Sequence, residues 1–152
     1  MPEAPTRVGA FLFGTRRHGF SVVKFTIVLH AAPYTSQASL SALRFVQASL
    51  AAGHEIVRVF CYYDGVHNTN EFSAAPQDEV DLVAAWSALL QEHGIDAVTC
   101  VSSAIKRGII DAREARRHER QGHNLREPAV LSGLGQLVDA SLASDRTISF
   151  GA

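Results

Sequence analysis

Three short segments rich in valine, isoleucine and threonine recur along the chain, each separated from the next by an amphipathic stretch: 24–30 (KFTIVLH), 55–62 (EIVRVFCY) and 95–101 (IDAVTCV). Runs this apolar suit strands covered on both faces, as in a parallel sheet flanked by helices. The stretches between them carry the helical period. In 36–52, Leu40, Leu43, Val46 and Leu50 share one face and Gly53 is the stop; in 79–93, Val83, Trp86 and Leu90 do so, with Asp78 as N-cap and Gly94 as stop. The second strand ends at the turn signal Asp64-Gly65, and a polar loop runs on to Pro76. Beyond the third strand the sequence predicts a helical turn over 103–107, a charged stretch over 111–126 and a brief apolar run over 129–131. A last helix follows, with Leu134, Leu137, Val138, Ser141 and Leu142 as its inner face, and a closing strand over 145–150. These elements predict an α/β fold of three layers, α/β/α, with about five mainly parallel strands.

At 152 residues one domain is expected, large enough to build a packed core without disulfides or a structural metal. Fourteen Lys and Arg stand against fifteen Asp and Glu, a net charge of −1, which excludes a globally basic nucleic-acid binder and a highly charged disordered chain. The charge is unevenly laid out. Residues 1–23 hold Arg7, Arg16 and Arg17 against Glu3 alone and are punctuated by Pro2, Pro5, Gly9, Gly14 and Gly19, so they read as an extension to a domain spanning 24–152. Arg16-Arg17 ahead of an apolar run ending in His30-Ala31-Ala32 imitates a twin-arginine signal, but Lys24 interrupts the run and cleavage would remove the first strand. Valines at 22 and 23 suggest a second origin for the extension, translation starting there at a non-ATG codon. No apolar run reaches the ~20 residues of a membrane-spanning helix. Two cysteines are too few for a secreted disulfide scaffold, and the expectation is a cytoplasmic protein that engages no membrane.

Open parallel sheets bind and react at the carboxyl ends of their strands. Cys100 lies at such an end, and Ser102 and Ser103 just after it can start a helix whose free N–H groups stabilise a thiolate. A thiol there is a candidate nucleophile or sulfur carrier, set against the plainer role of a small buried hydrophobe. Cys61 alternates with Phe60 and Tyr62, has no helix start after it and reads as core packing; a Cys61–Cys100 disulfide stays open on the sequence alone. The loop Asp64, Gly65, Val66, His67, Asn68 leaves the second strand on the same edge, where His67 is a candidate for proton transfer. Lys106, Arg107, Arg113, Arg116, Arg117, Arg120 and Arg126 place seven of the fourteen basic residues within 21 positions. Such a run is usually a solvated helix face; the alternative is docking of an acidic partner or RNA phosphates, with Arg107, Arg113 and Arg117 as contacts.

Other motifs carry less. Gly133-Leu134-Gly135 imitates a dinucleotide fingerprint, but Val138 fills its third small position; here Ser132 reads as a helix cap and the glycines as points of close backbone approach. His118 and His123 sit among arginines that would repel a cation, so no metal site is expected, and no serine lies in a G-x-S-x-G elbow.

Several separated motifs then occur in order. They are Phe60-Cys61-Tyr62-Tyr63-Asp64-Gly65-Val66 with Asn68, Asp81-Leu82-Val83 with Trp86, Cys100-Val101 with Arg107-Gly108-Ile109 and Asp111, and 131–137 (LSGLGQL) with Asp145-Arg146. Together they resemble the TusD/DsrE family of sulfurtransferase subunits, over essentially all of 24–150. The resemblance implies the DsrE-like fold, no metal or organic cofactor, and a persulfide carried on Cys100, with Ser102, Ser103, Asp64, His67 and Asn68 as supporting candidates. It also implies a heterohexamer with TusB-like and TusC-like subunits, two copies of each. A TusA-like donor would load it and a TusE/DsrC-like acceptor would take the sulfur toward 2-thiolation of the wobble uridine of tRNA, with tRNA contact indirect. DsrE-like transfer in dissimilatory sulfur oxidation is the alternative pathway, and a non-catalytic scaffold subunit is the alternative role.

Overall fold

The computed structural model describes residues 21–151, so what the sequence suggests for 1–20 lies outside the described residues. The chain runs β1 (Lys24–Leu29), α1 (Ala38–Ala51), β2 (Glu55–Cys61), a 3-10 helix (Tyr63–Thr69), α2 (Leu82–Glu92), β3 (Asp96–Cys100), α3 (Val101–Ile105), α4 (Ala112–Arg117), β4 (Val130–Ser132), α5 (Gly135–Ala143) and β5 (Arg146–Phe150). The five strands form one sheet in the order β4-β3-β2-β1-β5, every neighbouring pair parallel. The α/β class and the parallel sheet are as expected. No helix among the described residues is long and apolar enough to cross a membrane.

The order explains the layers. From β1 to β4 each crossover steps the same way along the sheet, and right-handed connections keep the intervening helices on one face. The chain then returns past β1 to place β5, which puts α5 on the opposite face. Ile27, Leu29, Val59, Cys61 and Ala97 pack with Val46, Trp86 and Leu90 in the larger core; Phe60, Val98 and Cys100, one step out of phase, form a small second cluster with Leu137 of α5.

Several local expectations change. The second helix starts at Leu82 and is capped by Asp81, whose carboxylate accepts the Ala84 N–H at 2.9 Å, so Asp78 is not the cap. The Tyr34 hydroxyl accepts the Leu82 N–H and donates to the Val80 carbonyl, which holds 80–81 ahead of the helix. The first part of the expected loop after β2 is the 3-10 helix. The N-cap of α5 is Leu134, without a side-chain hydrogen bond, while Ser132 belongs to β4 opposite Cys100. A Cβ on Gly133 or Gly135 would meet nothing within 4 Å, so neither marks a close approach.

The largest correction concerns the face of α5. Ala140 is its one buried residue, with Leu137 and Ser141 partly covered, whereas Leu134, Val138 and Leu142 are exposed. The helix sits close over short or polar side chains: the Thr26 hydroxyl donates to the Ala140 carbonyl at 3.0 Å, and Arg58 donates to the carbonyl of Gln136. Small residues at 140 and 141 permit that approach, which turns the branched stripe outward.

Candidate functional site

Cys100 is the last residue of β3 and the N-cap of α3, which begins at Val101, two residues before the expected helical turn. The first N–H groups of a helix lack intrahelical acceptors, so backbone donors start from the residue that bears the thiol. Cys100 is not the open thiol its position suggests, since it retains 3% of its surface. It lies on the floor of a cleft of about 420 Å³ at the carboxyl end of the sheet, walled by Tyr62, Tyr63, Ser102, Ser103, Lys106 and Leu134 among others. Any reagent that reaches the Cys100 thiol from this side has to enter the cleft.

One wall is built by the 3-10 helix. Gly65 has to be glycine: a Cβ there would lie 1.9 Å from the Leu29 carbonyl oxygen and 2.5 Å from its carbon. This approach lets the Tyr62 N–H bond the Leu29 carbonyl at 2.8 Å and seats the turn on the end of β1. Tyr63 then takes φ +46° and its ring lies 4.2 Å from that of Tyr62, with His30 tilted against both at 5.8 and 5.7 Å. Next in the chain, Asp64 accepts from Arg107 Nε at 2.6 Å, and Arg107 Nη1 also donates to the Ser103 carbonyl at 3.3 Å. This bridge ties the 3-10 helix to α3. Lys106, on the same cleft, has no ion-pair partner among the described residues.

Among the residues singled out from sequence, Cys100, Ser102, Ser103 and Arg107 share the cleft, and Asp64 joins it through Arg107. His67 and Asn68 do not line it. Asn68 is buried, donating to the carbonyls of Ala31 and Gly65 and accepting from the Ser39 hydroxyl, which in turn accepts from Trp86 Nε1; its amide braces the core. Arg113 and Arg117 also lie off the cleft, on α4, where they and His118 surround the buried Glu114 carboxylate at 3.9, 3.5 and 3.4 Å. Asp111 caps that helix through the Glu114 N–H.

Cys61 pairs in register with Thr99, so its side chain and that of Cys100, one residue on, point to opposite faces of the sheet. This geometry excludes the Cys61–Cys100 disulfide that the sequence leaves open, and both thiols are free. Burial pushes the Cys61 thiol up to about 12, with the Thr99 hydroxyl offsetting part of the effect, and it is protonated at neutral pH. The aromatic wall, Tyr62 and Tyr63, was not legible as part of the site. Tyr62 reads in sequence as the end of an apolar strand; the signals for the pair are its place at the end of a strand on the reactive edge and its presence in the motif over 60–66.

A family model described as the DsrE/DsrF-like family matches residues 23–150. The chain is similar to the sulfurtransferase TusD homolog of Pseudomonas aeruginosa, 50% identical over 129 residues covering 85% of this chain and 98% of that protein. It is 42% identical to the sulfurtransferase TusD of Enterobacter sp. over 128 residues, 84% of this chain and 100% of that one. A DsrE protein of Allochromatium vinosum is 43% identical over 129 residues, 85% and 99% of the two chains. In fold the chain is similar to the crystal structure of the ychN protein from E. coli, with a TM-score of 0.67 and 19% identity across 85% of this chain and all of that one. With a family model spanning nearly every described residue and relatives matched along almost their whole length, the chain belongs to the DsrE/DsrF-like family.

Proposed function

We propose that this protein is a sulfur-relay sulfurtransferase that carries sulfur as a persulfide on Cys100 and passes it toward 2-thiolation of the tRNA wobble uridine. The observation that carries this reading is the placement of Cys100 at the start of a helix on the floor of a cleft, in a chain 50% identical to a TusD homolog. In the first half-reaction the Cys100 thiolate attacks the outer sulfur of a donor persulfide, the donor S–S bond breaks, and its electron pair leaves on the donor thiolate. In the second, an acceptor thiolate attacks the outer sulfur of Cys100–S–SH and the pair returns to the Cys100 sulfur. No net redox change occurs, and each step exchanges one thiolate for another.

The domain is 24–152, working in the cytoplasm within a heterohexamer of TusB-like and TusC-like partners. A TusA-like protein is the donor and a TusE/DsrC-like protein the acceptor, with tRNA reached through them. The exposed Leu134, Val138 and Leu142 stripe supports an assembled state, because exposed apolar patches mark interaction surfaces. Identity of 43% to a DsrE protein supports the second pathway, dissimilatory sulfur oxidation. A strain carrying Cys100→Ser or Cys61→Ser in the native gene separates these readings. Loss of 2-thiouridine in total tRNA with Cys100→Ser alone is expected; unchanged 2-thiouridine with impaired oxidation of stored sulfur would move the protein to the other pathway, and unchanged phenotypes in both would leave it a scaffold.

A further inference from the structure

The cleft over Cys100 has walls that belong to different elements. Tyr62 and Tyr63 come from the turn after β2, and Ser102, Ser103, Lys106 and Arg107 from α3 and its end. The first wall is fixed from below: the Tyr62 N–H bonds the Leu29 carbonyl, Asn68 donates to the carbonyls of Ala31 and Gly65, and the Thr99 hydroxyl donates to that of Thr69 at 3.2 Å. None of these bonds reaches α3. Among the described residues, the one hydrogen bond or ion pair that joins the 3-10 helix to the second wall runs from Arg107 Nε to Asp64 at 2.6 Å. On its own side the guanidinium is anchored by the Ser103 carbonyl at 3.3 Å, and it lines the cleft, so its fork spans from wall to wall. The Asp64 end is the weak one. The Arg107 side chain retains 26% of its surface and that of Asp64 65%, and a pair so exposed is readily screened by salt.

Cys100 is almost wholly covered on the floor between these walls. A thiolate attacks a persulfide along its S–S axis, so the attacking, transferred and leaving sulfur atoms stand in line and the carrier behind them needs width. We propose that Arg107 is a positioning residue for the sulfur transfer: strapped to Asp64 it holds the cleft narrow and admits slender reagents, and release of the pair lets the walls part for a bulkier sulfur carrier. This rests on the reading of Cys100 as the sulfur carrier. Arg107 touches none of the reacting atoms in this role. It acts through the separation of the two walls, and thereby sets which carriers reach the thiol.

The test is access to Cys100 measured by size. Alkylation of Cys100 is followed by peptide mass with two uncharged reagents, the small iodoacetamide and the bicyclic monobromobimane, in wild type, Asp64→Ala, Arg107→Gln and the double variant. Both reagents react with the thiolate, so the ratio of the bimane rate to the iodoacetamide rate is independent of how much thiolate is present and reports width alone. The ratio is expected to rise about two- to fivefold in each single variant, the range for breaking a partly exposed pair. It is expected to rise no further in the double variant, because the same contact is removed either way. In wild type, about 1 M sodium chloride, with a screening length of about 3 Å, is expected to raise the ratio as the variants do and to leave Asp64→Ala unchanged. The salt arm on wild type stands even where a variant folds poorly. A ratio that keeps its low-salt wild-type value in salt and in the variants would overturn the strap, and so would single effects that multiply in the double variant. Alkylation needs no sulfur, so a wild-type protein that gains none from glutathione persulfide refutes the carrier reading separately.

Discussion

Gly65→Ala gives a quantitative test of how the site is built. Its Cβ would sit 1.9 Å from the Leu29 oxygen, 2.5 Å from the Leu29 carbon and 3.1 Å from the His30 nitrogen, all backbone atoms at the end of a strand paired on both sides. No side chain can swing away. The 3-10 helix must withdraw by more than about 1 Å to restore ordinary contact, straining the Tyr62 N–H to Leu29 bond and the Asn68 bond to the Gly65 carbonyl, both 2.8 Å. Overpacking of about 1–3 kcal/mol together with about 1 kcal/mol for a lost hydrogen bond gives a destabilisation of about 3 kcal/mol, or a melting temperature lower by about 6–12 °C. Thermal and urea unfolding can be followed through the fluorescence of Trp86, the one tryptophan, which is buried and bonded to Ser39. Gly133→Ala is the control, because its Cβ meets nothing within 4 Å; it should be neutral or stabilising by less than about 1 kcal/mol. Equal melting temperatures for the two variants would refute the claim that Gly65 is seated against β1.

Two further outcomes follow from the same geometry. The buried Cys61 thiol keeps its proton up to about 12, against an ordinary value of 9.0, so between these values the unfolded chain binds fewer protons than the folded one. Stability should therefore fall as pH rises above 9, by up to about 1.4 kcal/mol per unit from this group, and Cys61→Ala should flatten that slope in urea titrations at pH 8.5–10.5. On α5, Ala140→Leu should destabilise by about 1–3 kcal/mol by pushing the helix off Thr26, whereas Leu142→Ala on the outward stripe should stay within about 0.5 kcal/mol; the reverse order by thermal melts would restore the inward stripe.

The strands were legible because a parallel sheet covered on both faces demands apolar residues at consecutive positions, and 24–30, 55–62 and 95–101 show little else. The position of Cys100 at a strand end was legible from the same apolar run, and strand ends are where such sheets place their sites. What escaped was decided by distant contacts. Asp78 and Asp81 both precede the same helical period, and the choice is made by Tyr34, 48 residues before Leu82 in the chain. Periodicity shows that α5 has a branched apolar stripe, but Ala140 faces the sheet because Thr26 holds its carbonyl and Arg58 that of Gln136. Asn68 and the tyrosine pair sit in a turn whose sequence resembles an ordinary loop, and only the seating of Gly65 on Leu29 separates a core amide from a cleft wall.

The central claim is that Cys100 carries the sulfur, and intact mass decides it most directly. Wild-type protein treated with glutathione persulfide should gain about 32 Da, one sulfur atom, reversed by an acceptor thiol. Cys61→Ser should gain the same and Cys100→Ser nothing. A wild-type protein that gains no sulfur, or a Cys100→Ser variant that still does, would contradict the account.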